Sequence, residues 1–123
     1  MRLLLDTHIL IWWDEGAKLS AAANAAIREA DQVYVSAVAG WEIAIKQSLG
    51  RIKPRRTVSE AIEDSGFEEL PVYLRHTESL RTLPQHHRDP FDRMLLAQAV
   101  ADRLTIVTRD AEFKAYGVPM IVG

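Results

Sequence analysis

The feature that most constrains the fold of this chain is the alternation, from end to end, of short apolar segments with longer segments of helical spacing. Leu3–Leu5, Gln32–Val35 and Leu104–Val107 are short, mainly apolar runs, which is the pattern of strands buried on both faces of a sheet. Strands that alternate with helices predict a parallel sheet covered by helices on both sides. We therefore predict an α/β fold of three layers, αβα, with a central, mostly parallel sheet.

Local signals predict where several of these elements begin and end. Thr57 and Glu60 have the spacing of a capping box, so a helix is predicted to start after Thr57. Asp89 is a suitable N-cap for a helix whose first residue is Pro90. A strand is predicted within 67–72, but Pro71 makes it short or places it at an edge. A short helix is expected over 77–83.

Length and composition exclude several classes of protein. The 123 residues suit one domain, and we predict a single domain over 1–123. The absence of cysteine excludes disulfides, a thiolate nucleophile and cysteine-ligated zinc or iron–sulfur sites. No apolar run resembles a signal peptide or spans a bilayer, so we expect a cytoplasmic protein without membrane contact. With a net charge of −2, nucleic-acid binding would require a local concentration of positive charge.

Two aspartates follow predicted strands. Asp6 ends the first strand, and Asp110 lies just beyond the strand at 104–107. Open parallel sheets bind their ligands outside the carboxyl ends of the strands. We therefore expect both carboxylates at the same edge of the sheet.

Two further acids are predicted to face the same edge from helices. Glu42 falls on one helix stripe with Val38, Ile45 and Leu49, which are all apolar. A carboxylate buried there without a partner would cost several kcal/mol. Asp92 lies in the first turn of the helix that follows Asp89 and begins close to the same edge.

A cluster of Asp6, Glu42, Asp92 and Asp110 would need a cation, because four carboxylates in one pocket repel each other. Hard oxygen ligands without cysteine favour Mg²⁺ or Mn²⁺, which can activate water and stabilise a leaving oxygen in phosphodiester hydrolysis. Each acid also has a structural interpretation: Asp6 as a helix cap, Asp92 as a helix-dipole partner, Asp110 as a turn residue and Glu42 as the partner of a buried lysine or arginine.

Basic and aromatic residues near these acids have two interpretations each. The segment 51–56 holds four basic residues and is either a phosphate-binding patch or a solvated linker. Arg88, Arg93 and Arg109 neighbour the acids and either meet a scissile phosphate or pair with the acids.

The pair His86–His87 is interpreted as a loop rather than a metal site. Three tryptophans are interpreted as core or partner-interface residues in preference to base stacking: Trp12, Trp13 and Trp41.

Taken in order, these motifs resemble a known family. Leu3–Thr7 resembles the opening of PIN-domain ribonucleases, and Glu42, Asp92 within Pro90–Ala99, and Thr108–Asp110 match the family's other acidic positions. The string His86–Arg93 resembles a signature of VapC-type toxins of type II toxin–antitoxin systems. The resemblance covers essentially the whole chain and shows no departure at the acidic quartet.

The resemblance implies a PIN-like αβα domain and a Mg²⁺- or Mn²⁺-dependent endoribonuclease that cleaves structured RNA such as tRNA. It implies that Asp6, Glu42, Asp92 and Asp110 form the metal-binding and catalytic quartet, with Thr7 as a supporting hydroxyl. It also implies a homodimer and a cognate antitoxin that covers the active site. It leaves the role of Asp89 open.

Two other functions fit a similar sheet. A phosphatase with an aspartyl nucleophile usually has a second aspartate two residues after the first, and His8 stands there instead. A non-catalytic, metal-stabilised partner-binding domain would use the acids only for folding. A dinucleotide-binding domain is excluded, because no Gly-x-Gly-x-x-Gly follows a strand.

Overall fold

The structure is a computed structural model that describes residues 1–86 and 89–123. Within these residues the strands form one five-stranded sheet in the order β3-β2-β1-β4-β5, and every neighbouring pair is parallel. The strands are β1 (Arg2–Leu5), β2 (Gln32–Ser36), β3 (Glu68–Leu70), β4 (Thr105–Thr108) and β5 (Met120–Val122). The predicted parallel sheet is confirmed.

Helices connect all of these strands. The α-helices are α1 (Thr7–Asp14), α2 (Ala21–Glu29), α3 (Ala37–Ser48), α4 (Val58–Ser65), α5 (Leu74–Ser79) and α6 (Pro90–Asp102). Two 3₁₀ helices follow α5 and β4, at Leu80–Thr82 and Ala111–Tyr116. No helix in the described part of the chain is both long and apolar enough to cross a membrane.

The central strand β1 separates two hydrophobic cores, because successive side chains of a strand point to opposite faces. Leu3 and Leu5 pack into one core with α1 and α2, whereas Leu4 packs into the other core with α6. All three leucines are completely buried. The helices therefore cover both faces of the sheet, as the predicted αβα layering requires.

Most predicted boundaries are close to the observed ones. The capping box of Thr57 and Glu60 is present at the start of α4, and β3 is a short strand at the edge of the sheet. The helix predicted at 77–83 is wrong in its start, because α5 begins at Leu74. The buried ring of His76 accepts a hydrogen bond from the backbone N–H of Tyr73 through Nδ1, at 3.0 Å, and so caps the helix three residues earlier than predicted.

A partly exposed charge network connects α5 to the end of α6. Asp102 accepts two hydrogen bonds from Arg75, at 2.9 and 3.1 Å, and its Oδ2 lies 2.9 Å from Nε2 of His76. Since Nδ1 of His76 accepts from a backbone N–H, Nε2 carries the proton and donates to Asp102. The hydrogen bonds from Arg75, and then from His76, hold the pKa of Asp102 below its ordinary value.

We expect Asp102→Asn to lower the free energy of unfolding at neutral pH by about 1 kcal/mol, less than a buried hydrogen bond to a charged group contributes, because the Arg75 side chain is 54% exposed and solvent screens the pair. Because the pKa of Asp102 is lower in the folded state than in the unfolded state, its charge stabilises the fold at pH values above the unfolded-state pKa. This stabilisation is lost as the pH falls through the folded-state pKa. Urea unfolding at pH 7 and pH 3 checks this. The gap between wild type and variant should narrow at pH 3, whereas Glu63→Gln, at an exposed position of α4, should change little at either pH.

Candidate active site

An open groove lies at the carboxyl edge of the sheet. Asp6 follows β1 directly, Asp110 lies two residues after β4, and Asp92 lies in the first turn of α6. The groove has a volume of about 430 Å³, and its lining residues come from these three segments and from α1: Asp6, His8, Trp12, Asp92, Arg109 and Asp110. Three of the four acids of the predicted quartet therefore line one groove.

Asp6 is held rigidly at the base of this groove. Its Oδ1 accepts the backbone N–H of Ile9 at 3.0 Å and so caps α1, while its Oδ2 accepts the hydroxyl of Thr108 at 2.6 Å. The residue is only 6% exposed, and burial raises its pKa even though both hydrogen bonds act in the opposite direction. The charged carboxylate is therefore under-solvated, and a cation nearby would stabilise it.

Thr108 is a contributor to this arrangement that the sequence analysis did not single out. Its completely buried hydroxyl donates to Asp6 and accepts the backbone N–H of Asp110 at 3.1 Å. One side chain at the end of β4 thus fixes two of the acids relative to each other. The sequence signal was weak: a threonine directly after an apolar strand and two residues before an aspartate.

Glu42 does not line the groove, and its carboxylate has close partners on α1 and α3. Its Oε1 accepts the hydroxyl of Thr7 at 2.7 Å, and its Oε2 accepts the ammonium of Lys46 at 2.6 Å. The glutamate side chain is 4% exposed and that of Lys46 is 29% exposed. The interpretation that Glu42 pairs with a lysine is therefore what the structure shows, and the supporting hydroxyl of Thr7 is in contact with it.

The predicted stripe around Glu42 was partly wrong. The buried residues of α3 are Val38, Ala39, Glu42 and Ile43, whereas Leu49 is 60% exposed. The last turn of α3 extends beyond the packed layers, and residues 47–50 are all exposed. Spacing alone did not identify where the helix leaves the core.

We expect Lys46→Met to lower the free energy of unfolding of the metal-free protein by about 1–3 kcal/mol. The loss is smaller than for a fully buried ion pair, because Lys46 is partly exposed, but the buried carboxylate of Glu42 would lose its counter-charge. Chemical unfolding at pH 7 measures it, with Lys114→Met as the matched exposed lysine. Equal stability of the two variants would show that the pair does not support the fold.

The other two aspartates both occupy the first part of a helix. Asp110 accepts the backbone N–H of Glu112 at 2.9 Å and caps the 3₁₀ helix that follows, as its interpretation as a turn residue requires. Asp92 lies one turn into α6. Asp89 is the N-cap of that helix, since its Oδ1 accepts the backbone N–H groups of Phe91 and Asp92 at 2.8 and 3.2 Å.

The arginines differ in what they contact. Arg109 donates to the carbonyls of Gly123 and Lys18, at 2.9 and 3.4 Å, and its guanidinium lies 4.2 Å from the ring centroid of Trp12. Arg93 donates to the carbonyl of Pro84 at 2.8 Å. The proposed phosphate contact of Arg88 and the interpretation of His87 lie outside the described residues.

The basic segment 51–56 is partly structural. Arg56 pairs with Asp14 of α1 at 2.7 Å and also with Asp64 of α4. Arg55 is more exposed and lies 3.9 Å from Asp14. At least one of the four basic residues therefore holds helices together, so the segment cannot be counted wholly as a phosphate-binding patch.

The acids of the groove fit a hydrated Mg²⁺ or Mn²⁺ ion. In residues 1–86 and 89–123, no three acidic or histidine side chains are arranged to hold one ion together. Mg²⁺ normally keeps several waters and is bound through one or two carboxylates plus substrate phosphate. Asp6 shares the groove with Asp92 and Asp110, and its carboxylate is poorly solvated. The groove therefore supplies the one or two carboxylates that a hydrated Mg²⁺ ion needs.

Comparison with known proteins agrees with this arrangement. The PIN domain family model matches residues 3–119. Ribonuclease VapC22 of Mycobacterium tuberculosis is 29% identical over 121 residues, which is 95% of this chain and 93% of that protein.

Solved structures share the fold. The chain superposes on VapBC2 from Rickettsia felis, bound to a promoter DNA fragment, with a TM-score of 0.72 at 15% identity over 98% of both chains. It superposes on a toxin–antitoxin complex from Klebsiella pneumoniae with a TM-score of 0.66 at 22% identity, covering 98% of this chain and 96% of that one. The groove, the sheet order and the family match lead to one conclusion: this chain belongs to the PIN domain family.

Proposed function

We propose that this chain is a Mg²⁺- or Mn²⁺-dependent endoribonuclease and that it acts as the toxin of a toxin–antitoxin pair. The observation that carries the proposal is the groove that gathers Asp6, Asp92 and Asp110 at the carboxyl edge of a PIN-domain sheet. The name of the relative, a ribonuclease, and the toxin–antitoxin complexes among the similar structures support this activity and this biological role.

In this proposal Asp6 and Asp92 hold the ion, with Asp110 beside them on the same groove. When bound, the ion supplies a water of lowered pKa and positive charge at the scissile phosphate. The hydroxyl of Thr108 keeps the carboxylate of Asp6 directed into the groove. Such chemistry depends mainly on positioning and electrostatics, so the rigid mounting of Asp6 is itself a functional property.

Glu42 has a separate role in this proposal. Both of its oxygens already accept hydrogen bonds, from Thr7 and from Lys46. A carboxylate oxygen has more than one lone pair, so Glu42 can still approach an ion through a water. We therefore keep Glu42 in the acidic quartet, although it does not line the groove. Its role is to orient the hydroxyl of Thr7, the residue that follows Asp6.

The proposal extends to the partners. We propose structured RNA, and tRNA in particular, as the substrate, as the resemblance to VapC-type toxins implies, and the groove is open to solvent, as a polymer substrate requires. We propose a cognate antitoxin that covers the groove, which the toxin–antitoxin complexes among the similar structures support. We also propose a homodimer as the free form, as the resemblance to VapC-type toxins implies. We propose that residues 1–123 act as one domain.

Three substrates separate this function from its alternatives. The purified protein would be incubated with tRNA, with an unstructured RNA and with p-nitrophenyl phosphate in the presence of Mn²⁺. Internal cleavage of RNA supports the proposal. Turnover of the small phosphate ester alone would indicate a phosphatase, and binding of Mn²⁺ without turnover of any substrate would indicate a partner-binding domain.

A further inference from the structure

We propose that His8, Trp12 and Arg109 form a platform that binds one unpaired nucleotide of the substrate beside the acidic groove, with the base on the aromatic rings and its phosphate on the guanidinium. The three side chains line the same groove as the acids. The inference rests on the proposed nuclease function and adds to it the residues that select how the substrate is held.

The three groups are flat, and His8 and Arg109 each lie beside Trp12. The rings of His8 and Trp12 lie 5.7 Å apart between centroids with an interplanar angle of 40°, and they occupy successive turns of α1. The guanidinium of Arg109 lies 4.2 Å from the centroid of Trp12. Stacks of aromatic rings and a guanidinium plane are the surfaces on which proteins hold unpaired bases.

The neighbouring tryptophan shows what a packing role looks like in this helix. The ring of Trp13 lies 5.7 Å from that of Phe67, and its Nε1 donates to the hydroxyl of Ser65 at 3.2 Å. Trp12 instead lines the groove, half-buried, with Arg109 and His8 beside its ring. His8 is exposed, although Thr7 and Ile9 on either side are buried. Trp12 packs partly against the same core as Trp13 but also lines the groove, and the exposed ring of His8 lies beside it.

Charge supports the same assignment. Three carboxylates in the groove repel a phosphate backbone, so a substrate needs a cation in reach. Arg109 is exposed, it donates hydrogen bonds to the main-chain oxygens of Gly123 and Lys18, and in the described ranges it forms no side-chain ion pair with an aspartate or glutamate. A guanidinium that two main-chain oxygens hold beside the acids places a positive group with a planar set of donors where a phosphate would enter the groove.

A platform of this kind predicts the form of the substrate. A base can stack on His8 and Trp12 only when it is not paired in a helix, as in a loop, a bulge or a single-stranded end. The nuclease would therefore cut structured RNA at its unpaired nucleotides. Continuous duplex would bind weakly, because its bases are not accessible to the rings.

Fluorescence of Trp12 tests the proposal directly. In an Asp6→Asn background, which prevents cleavage, Trp13→Phe and Trp41→Phe leave Trp12 as the single tryptophan. A single-stranded RNA oligonucleotide of mixed sequence should quench its emission, and the same strand in a perfect duplex should quench it far less. Binding by anisotropy should weaken about tenfold in His8→Ala and in Trp12→Leu, the size expected for loss of one stacked base.

The controls separate this inference from the proposed function. Trp41→Leu removes an exposed tryptophan, which packs edge-on against Phe91 outside the groove, and should leave the dissociation constant unchanged. With cleavage-competent protein, His8→Ala should raise KM about tenfold while kcat stays within about threefold. The platform alone would be overturned if RNA bound without quenching the fluorescence of Trp12 and if its dissociation constant were the same in wild type, His8→Ala and Trp12→Leu. Failure to bind any RNA would overturn the nuclease proposal as well.

Discussion

Replacing Asp6 by asparagine is expected to abolish RNA cleavage and, at the same time, to raise the melting temperature of the metal-free protein. Asparagine keeps the shape and can still accept the backbone N–H of Ile9, but it removes the charge proposed to hold the ion. We expect a loss of activity on the order of 100- to 1000-fold, the size seen when an enzyme loses one preorganised electrostatic group.

The stability gain follows from the pKa of Asp6. Burial raises this pKa above the ordinary value, so the folded state releases the proton at a higher pH than the unfolded state. Below the unfolded-state pKa such a group does not change the free energy of unfolding. As the pH rises from there to the folded-state pKa, it destabilises the fold increasingly. At pH 7 with chelator the melting temperature of the variant should be a few degrees higher than that of the wild type, since 1 kcal/mol of stability corresponds to about 4 °C. The difference in melting temperature should shrink towards pH 4.

Glu63→Gln is the control for both effects, because Glu63 is exposed on α4 and does not line the groove. It should retain full activity. An Asp6→Asn protein that cleaves RNA at the wild-type rate would remove Asp6 from the active site. A variant that melts lower than wild type in chelator would show that the buried charge does not destabilise the metal-free fold.

Chelation of divalent cations is expected to reduce cleavage by the wild type to background, and Mn²⁺ or Mg²⁺ should restore it. The ion should also stabilise the protein, because it binds the folded groove and not the unfolded chain. At a hundredfold excess over the dissociation constant this linkage contributes about 2.7 kcal/mol, or roughly 10 °C in melting temperature.

The thermal shift is a test that does not depend on activity. The shift should be largely lost in Asp92→Asn, which removes the second proposed ligand, and it should be absent with NaCl at equal ionic strength. Full cleavage in excess chelator would contradict the metal-dependent mechanism. A Mn²⁺ shift of equal size in wild type and Asp92→Asn would place the ion elsewhere.

The sequence predicted the architecture well because hydrophobic periodicity and capping are local properties. The apolar run at 3–5 was long enough for a buried strand, and the signals at Thr57 and Asp89 marked two helix starts that the structure contains. Parallel pairing then places the carboxyl ends of β1 and β4 at one edge. This is why Asp6 and Asp110 were expected together and do line the same groove.

Tertiary contacts explain what the sequence did not predict. The start of α5 depends on the ring of His76, which is buried and also bonded to Asp102 from another helix. The hydroxyl of Thr108 reaches Asp6 across 102 positions of sequence, and no local pattern reports such a contact. The pairing of Glu42 with Lys46 was weighed only as an alternative, since spacing does not reveal which partner a buried carboxylate takes.

The central claim is that Asp6 and its neighbours make this PIN domain a metal-dependent nuclease, and total tRNA is the most direct test of it. Wild type and Asp6→Asn would be incubated with the tRNA pool side by side, with Mn²⁺ and with chelator, and the fragments mapped. The account predicts fragments only from the wild type and only with Mn²⁺. Equal cleavage by Asp6→Asn, or no cleavage by a folded wild type that binds Mn²⁺, would contradict it.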